Sequence, residues 1–219
     1  YFSENKILLK EKIIIAGDSN TECAINDQII NNVVNISRSG ESYFYTYLKL
    51  KHILQINKNI KQVYLSFSPH NIINNRDRIF DDARVYNSFI VYTPVLDLNS
   101  ISYLFNGDKK NVILSFFKSP IHVIKHNLSS NLWGGYLELY RNNIENEIKN
   151  INKRTKFFTQ KDKDITEIKY LKKIYSLLDN SCVELILINT PKRIELLNYS
   201  NSYELYNEIY KREFSNIKL

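Results

Sequence analysis

Residues 12–19, Lys-Ile-Ile-Ile-Ala-Gly-Asp-Ser, constrain the fold of this chain more than any other stretch. Lys12 to Ala16 is a short apolar run rich in β-branched residues and closed by Gly17. A central parallel strand buried on both faces reads this way. A helix is expected to start near Ser19, with Cys23, Ala24, Ile25, Ile29 and Ile30 turned inward.

The same rhythm continues downstream. Val33 to Ile36 predicts a second strand, followed by a Ser37-Arg38-Ser39-Gly40 turn. Tyr43 to Ile56 repeats apolar residues at helical spacing, with Lys49 and Lys51 expected on the solvent side. Val63 to Phe67 predicts a third strand, stopped at Ser68-Pro69 because proline donates no ladder hydrogen bond. Asp164 to Leu178 carries Ile165, Ile168, Leu171, Ile174 and Leu178 on one helical stripe. Val183 to Ile188 predicts another strand, and Tyr203 to Phe214 a Tyr-rich helix. Strands alternating with helices give an α/β fold with a parallel central sheet covered on both faces.

Between about residues 72 and 159 the rhythm breaks into aromatic-rich pieces: Tyr86 to Tyr92, Tyr103 to Phe105, Phe116-Phe117 and Trp133 to Tyr136. We read this as a helical insertion, either extra core on one side of the sheet or a lid beside a substrate. The Asn-rich stretch from Asn142 to Asn152 reads as a solvated helix or connector. With 219 residues and 43% hydrophobic content, residues 1–219 are expected to form one domain carrying this insertion.

Thirty Lys and Arg against 23 Asp and Glu give a net charge of +7, but the basic residues are scattered, so no nucleic-acid partner is expected. No apolar run approaches the roughly 18 residues of a membrane span. The two cysteines, Cys23 and Cys182, have no metal-ligand spacing and read as buried small hydrophobes. His122 and His126 share a helix face, yet no third ligand accompanies them, so neither a metal nor a cofactor is expected.

Serine at the first turn after a strand sits among backbone N–H groups that lack an intrahelical acceptor. Ser19 there suits an attacking hydroxyl whose own N–H supports the resulting oxyanion. The alternative is that Asp18 or Ser19 only caps the helix.

The segment Ile15-Ala16-Gly17-Asp18-Ser19-Asn20-Thr21 resembles block I of the SGNH (GDSL-like) hydrolases. Asn35 to Gly40 resembles their second block, and Ser66-Phe67-Ser68-Pro69-His70-Asn71 stands in the place of the third. The resemblance covers about Lys12 to Asn71 and, by pattern alone, Asp164 to Pro191. It implies a three-layer sandwich with a flavodoxin-like parallel sheet and a serine ester hydrolase, an esterase or deacetylase acting on an acylated carbohydrate or a related small-molecule ester. Ser19 would be the nucleophile, and Ser19 N–H, Gly40 N–H and the Asn71 amide the oxyanion hole. Asp18 would support the loop through hydrogen bonds.

The third block departs from the family's Gly-x-Asn-Asp, and a shift of one residue puts His70 in the Asn position. Gly40 also reads as a plain turn glycine, and His70 as a packing histidine. The family's fourth block, Asp-x-x-His, does not occur after Pro191; His52, His70, His122 and His126 all precede it. The resemblance thus assigns the general base to no residue here. Two further readings stay open: a non-catalytic relative that binds a glycan or a protein, and a cell-envelope polysaccharide O-acyltransferase. The chain begins at Tyr1, as one freed of a leader would, and family resemblance favours an exported or envelope protein.

Overall fold

A computed structural model describes residues 9–73, 92–115, 117, 134–139, 164–190 and 200–219. Four strands, β1 (Ile13–Ala16), β2 (Val33–Asn35), β3 (Gln62–Ser66) and β4 (Glu184–Ile188), form one sheet in the order β2-β1-β3-β4. All three pairings are parallel, with Ile14 opposite both Val34 and Val63, and Val63 opposite Leu185. The chain is therefore α/β, as the alternation of strands and helices predicts.

Parallel strands need crossover connections, and helices α1 (Ser19–Ala24), α2 (Tyr43–Ile56) and α5 (Ile165–Asn180) supply them. The chain steps from β1 to β2 in one direction, then back across β1 to β3 and on to β4. Right-handed crossovers put α1 on one face of the sheet and α2 and α5 on the other, and α2 and α5 do pack against each other. The arrangement is compatible with three layers. Ile14, Ala16, Val63, Leu65, Leu185 and Leu187 are buried, as continuous apolar runs in a doubly covered sheet should be.

Helix α3 (Pro69–Ile72) follows β3, α4 (Leu98–Gly107) lies in the insertion, and α6 (Ser200–Glu213) closes the chain. Within the insertion Tyr92 stacks on Tyr45 at 4.6 Å, Tyr103 tilts against Phe44 at 5.5 Å, and Lys51 pairs with Asp97 at 2.8 Å. Tyr92, Asp97 and Tyr103 of the insertion are thus built onto α2, while Gly135 and Leu137 donate to the carbonyls of Ser37 and Glu22. Tyr86 to Val91, Phe116, His122, His126, Trp133, residues 142–152 and Pro191 lie outside the described residues.

Three expectations are corrected. Helix α1 ends at Ala24, and Ala24, Ile29 (81% exposed) and Ile30 face solvent, where Thr21 and Glu22 are the buried residues. The cause is distant in sequence. The Asn35 amide donates to the Ile25 carbonyl (2.8 Å), which a longer helix would offer to Ile29, and to that of Thr21 (3.1 Å), which also keeps its helical bond from the Ile25 N–H. Lys49 is fully buried instead of solvent-facing. Cys182 is exposed, in a left-handed turn at φ +54°, and Cys23 is half-buried.

No helix among the described residues is long and apolar enough to cross a membrane.

Candidate functional site

The strand order reverses at β1, with β2 on one side and β3 on the other, and folds of this kind bind ligands beyond the carboxyl ends of the strands at that switch point. The residues emerging there are Gly17-Asp18-Ser19 after β1 and Phe67 to Asn71 after β3. Gly17 has φ +146° and no room for a side chain: a Cβ would overlap that of Ser66 and come within 2.8 Å of Thr21 Oγ1. The glycine lets the two strand ends close on each other, which delivers the Asp18 side chain to the β3 loop.

Asp18, only 2% exposed, is the hub. Its Oδ1 accepts the Asn20 backbone N–H at 3.0 Å and the Asn20 amide at 3.2 Å. Its Oδ2 lies 2.5 Å from His70 Nε2 and accepts from the Asn71 amide at 2.9 Å. Burial pulls the Asp18 carboxyl upward, but the hydrogen bond and charge of His70, with the Asn20 N–H and the Asn71 amide, outweigh it and hold the group well below the usual carboxylate range. Asp18 is therefore an anion in the folded protein.

The His70 side chain is 34% exposed, so its ring bridges this buried anion and solvent. Nε2 faces a carboxylate and carries a proton. Nδ1 lies 2.8 Å from Ser68 Oγ, which also lies 2.6 Å from Asn71 Oδ1. Ser68 has a single proton for these two neighbours. When it donates to Asn71, its oxygen accepts Nδ1–H and the ring is an imidazolium; when it donates to Nδ1, the ring is neutral.

Asn71 completes the ring of contacts. Its Oδ1 accepts the Ser68 backbone N–H at 3.0 Å while its amide holds Asp18. Both residues in question from the third block, His70 and Asn71, therefore belong to one cluster with Asp18.

Ser19 is exposed at the first position of α1. His70 Nε2 meets the residues on either side of it, Asp18 at 2.5 Å and Asn20 at 3.0 Å. Gly40, at φ +73° in the exposed turn before α2, lies two residues after Arg38, whose N–H donates to the Gly17 carbonyl at 3.0 Å. Neither Ser19 nor Gly40 enters the hydrogen bonds of the Asp18 cluster among the described residues. The role of Asn20 went unseen in the sequence, although an amide two residues after an aspartate at a helix start is a common capping partner. No group of three or more potential metal ligands occurs among the described residues.

Comparison with protein-family models, with curated proteins and with solved structures gives no match to this chain.

Proposed function

We propose that this chain is a serine ester hydrolase whose reaction centre is the carboxyl end of β1 and β3, with Ser19 as nucleophile and the Asp18–His70 pair as its proton acceptor. The observation that carries the reading is the position of His70, whose Nε2 contacts both neighbours of Ser19 and is backed by a buried carboxylate. It supplies the histidine and its orienting carboxylate that the SGNH resemblance, read from sequence, leaves without residues.

In this reading Nε2–H stays on Asp18, Nδ1 exchanges its Ser68 contact for Ser19 Oγ and takes the Ser19 proton as Oγ attacks the acyl carbon, and anionic Asp18 stabilises the imidazolium that forms. The Ser19 and Gly40 N–H groups and the second proton of the Asn71 amide hold the oxyanion. Collapse expels the alcohol, which receives the proton from His70. Water, deprotonated by the same ring, then hydrolyses the acyl-enzyme. An acylated sugar is the substrate class that the resemblance suggests.

The test is hydrolysis of a small acetyl ester by the parent protein and by Ser19→Ala, His70→Gln and Asp18→Asn. Each substitution is expected to lower kcat about a hundredfold or more. Equal rates for the parent protein and Ser19→Ala defeat the proposal.

A second reading has its own observation. Both ring nitrogens of His70 and one amide proton of Asn71 are engaged within the cluster, as in a fold that keeps the framework and binds a glycan or a protein without turnover. Glycan binding by the parent protein, with ester hydrolysis no faster than in Ser19→Ala, selects that reading.

A further inference from the structure

The loop between β2 and α2 is held by an ion pair that the chemistry above does not use. Lys49 reaches back from the second turn of α2 and donates to the Ile36 carbonyl at 2.5 Å and to Glu41 Oε2 at 2.6 Å, with both charged side chains fully buried. Ile36 stands at the start of the Ser37–Gly40 loop and Glu41 at its end, so one ammonium ties the two ends together. Thr46 Oγ1 donates to Glu41 Oε1 at 2.7 Å, and the buried Tyr92 hydroxyl donates to Oε2. Every oxygen of the carboxylate is thereby engaged.

The loop so closed runs against the nucleophile turn. The Ile36 N–H donates to the Ile15 carbonyl at 2.8 Å, Arg38 N–H to Gly17 at 3.0 Å and Glu41 N–H to Arg38 at 3.0 Å. From the other side the Gly135 N–H donates to the Ser37 carbonyl at 3.1 Å, and a Cβ on Gly134 would overlap the carbonyls of Ser37 and Ile36. Burial pulls the Lys49 ammonium down while the Glu41 charge pulls it up. Taking two charges out of water rarely gains net stability over an apolar pair of similar size, whereas the directed bonds fix geometry. That favours a role in setting the loop's shape over a role in holding the domain together.

We propose that Lys49 and Glu41 are positioning residues: they clamp the Ser37–Gly40 loop against Gly17 and so fix the Gly40 N–H for the oxyanion formed at Ser19. The catalytic half of this inference rests on the hydrolase reading; the clamp itself does not. Tyr92 makes the insertion part of the device, because its hydroxyl closes on the same carboxylate that Lys49 holds.

The experiment compares the full chain with Lys49→Met, Lys49→Arg and the near-isosteric Glu41→Gln, using amide hydrogen exchange and acetyl ester kinetics. In Lys49→Met and Glu41→Gln the Arg38 and Glu41 amides are expected to exchange about tenfold faster, while β3 and β4 amides keep their protection. With that, kcat should fall about tenfold at a KM within about twofold, and Lys49→Arg should recover most of both losses. Unchanged exchange at Arg38 and Glu41 overturns the clamp. Loss of protection in β3 and β4 in both charge-removing variants also overturns it, because the pair is then a general folding element. Faster loop exchange with unchanged kcat overturns the positioning role. If the parent protein hydrolyses no ester, the hydrolase reading and the catalytic half fall together, and the exchange data still decide the clamp.

Discussion

Replacing Gly17 by alanine tests whether the close approach of β1 and β3 builds the site. Two effects add. The backbone there has φ +146°, a conformation that a residue with a Cβ adopts at a cost of about 1–2 kcal/mol. The new methyl would also overlap Ser66 Cβ, sit 2.8 Å from Thr21 Oγ1 and 3.2 Å from the Ser66 nitrogen. The nearest of these, Ser66 Cβ, is fixed to the β3 backbone, so the relief must come from the strands, at about 1–3 kcal/mol for overpacking. The sum is about 2–5 kcal/mol, which lowers Tm by roughly 4–20 °C in a chain of this size.

Gly135→Ala isolates the first effect, since Gly135 has φ +147° but nothing within 4 Å of the added Cβ. Urea and thermal unfolding of both variants should show Gly17→Ala the less stable by about the overpacking amount. Equal losses would refute the claim that contact between the strand ends, and not backbone conformation alone, requires this glycine.

Three other outcomes are expected. The folded-state carboxyl of Asp18 is depressed from its ordinary 3.8, so its stabilisation is complete above that pH and is lost as pH falls below it; the stability gap between the parent protein and Asp18→Asn should narrow below about pH 4, and a gap constant from neutral to strongly acid pH would contradict this. Asp97 caps α4 by accepting from Ser100 N–H at 2.8 Å, and its carboxyl is held at about 2, first by the Lys51 hydrogen bond; Asp97→Ala should cost about 1 kcal/mol in high salt, where the cap alone remains, and more in low salt, where the half-exposed Lys51 pair is lost with it. Leu187→Ala, at a fully buried position of β4, should cost about 2–5 kcal/mol with an unchanged urea slope, against no more than about 0.5 kcal/mol for Leu98→Ala at a position 85% exposed.

Strands and most helices were legible because their signal is local. The sequence predicts Lys12 to Ala16, Val33 to Ile36, Val63 to Phe67 and Val183 to Ile188 as strands, each within a residue or so of the observed bounds. Helix α2 is predicted over its observed extent, and α5 extends two residues beyond its expected end. The failure at α1 has a partner outside the helix as its cause. Ile29 and Ile30 fit a helical stripe in sequence, but Asn35 takes the Ile25 carbonyl that a longer α1 would offer to Ile29.

Lys49 is a different kind of failure, because part of its answer was local. Residues two apart on a helix point about 200° apart, so Lys49 and Lys51 could not both have faced solvent. The apolar neighbours Phe44, Tyr45, Leu48 and Leu50 left only one of them an exit. What no periodicity could give was the partner: Glu41 lies upstream of the helix start and Tyr92 in the insertion.

The Asp18–His70–Asn71 cluster follows the same logic and explains why the sequence pointed to the place while leaving the chemistry incomplete. Parallel pairing of β1 with β3, with Ala16 opposite Leu65, brings the two following loops level without requiring any motif to span them. Separated by 52 residues, Asp18 and His70 meet because Gly17 removes the side chain that would hold their strands apart. A search for an Asp and a His close together in sequence looks for one way of placing a carboxylate behind an imidazole. A switch point between parallel strands is another, and here the fold supplies it from residues that already flank Ser19 and Asn71.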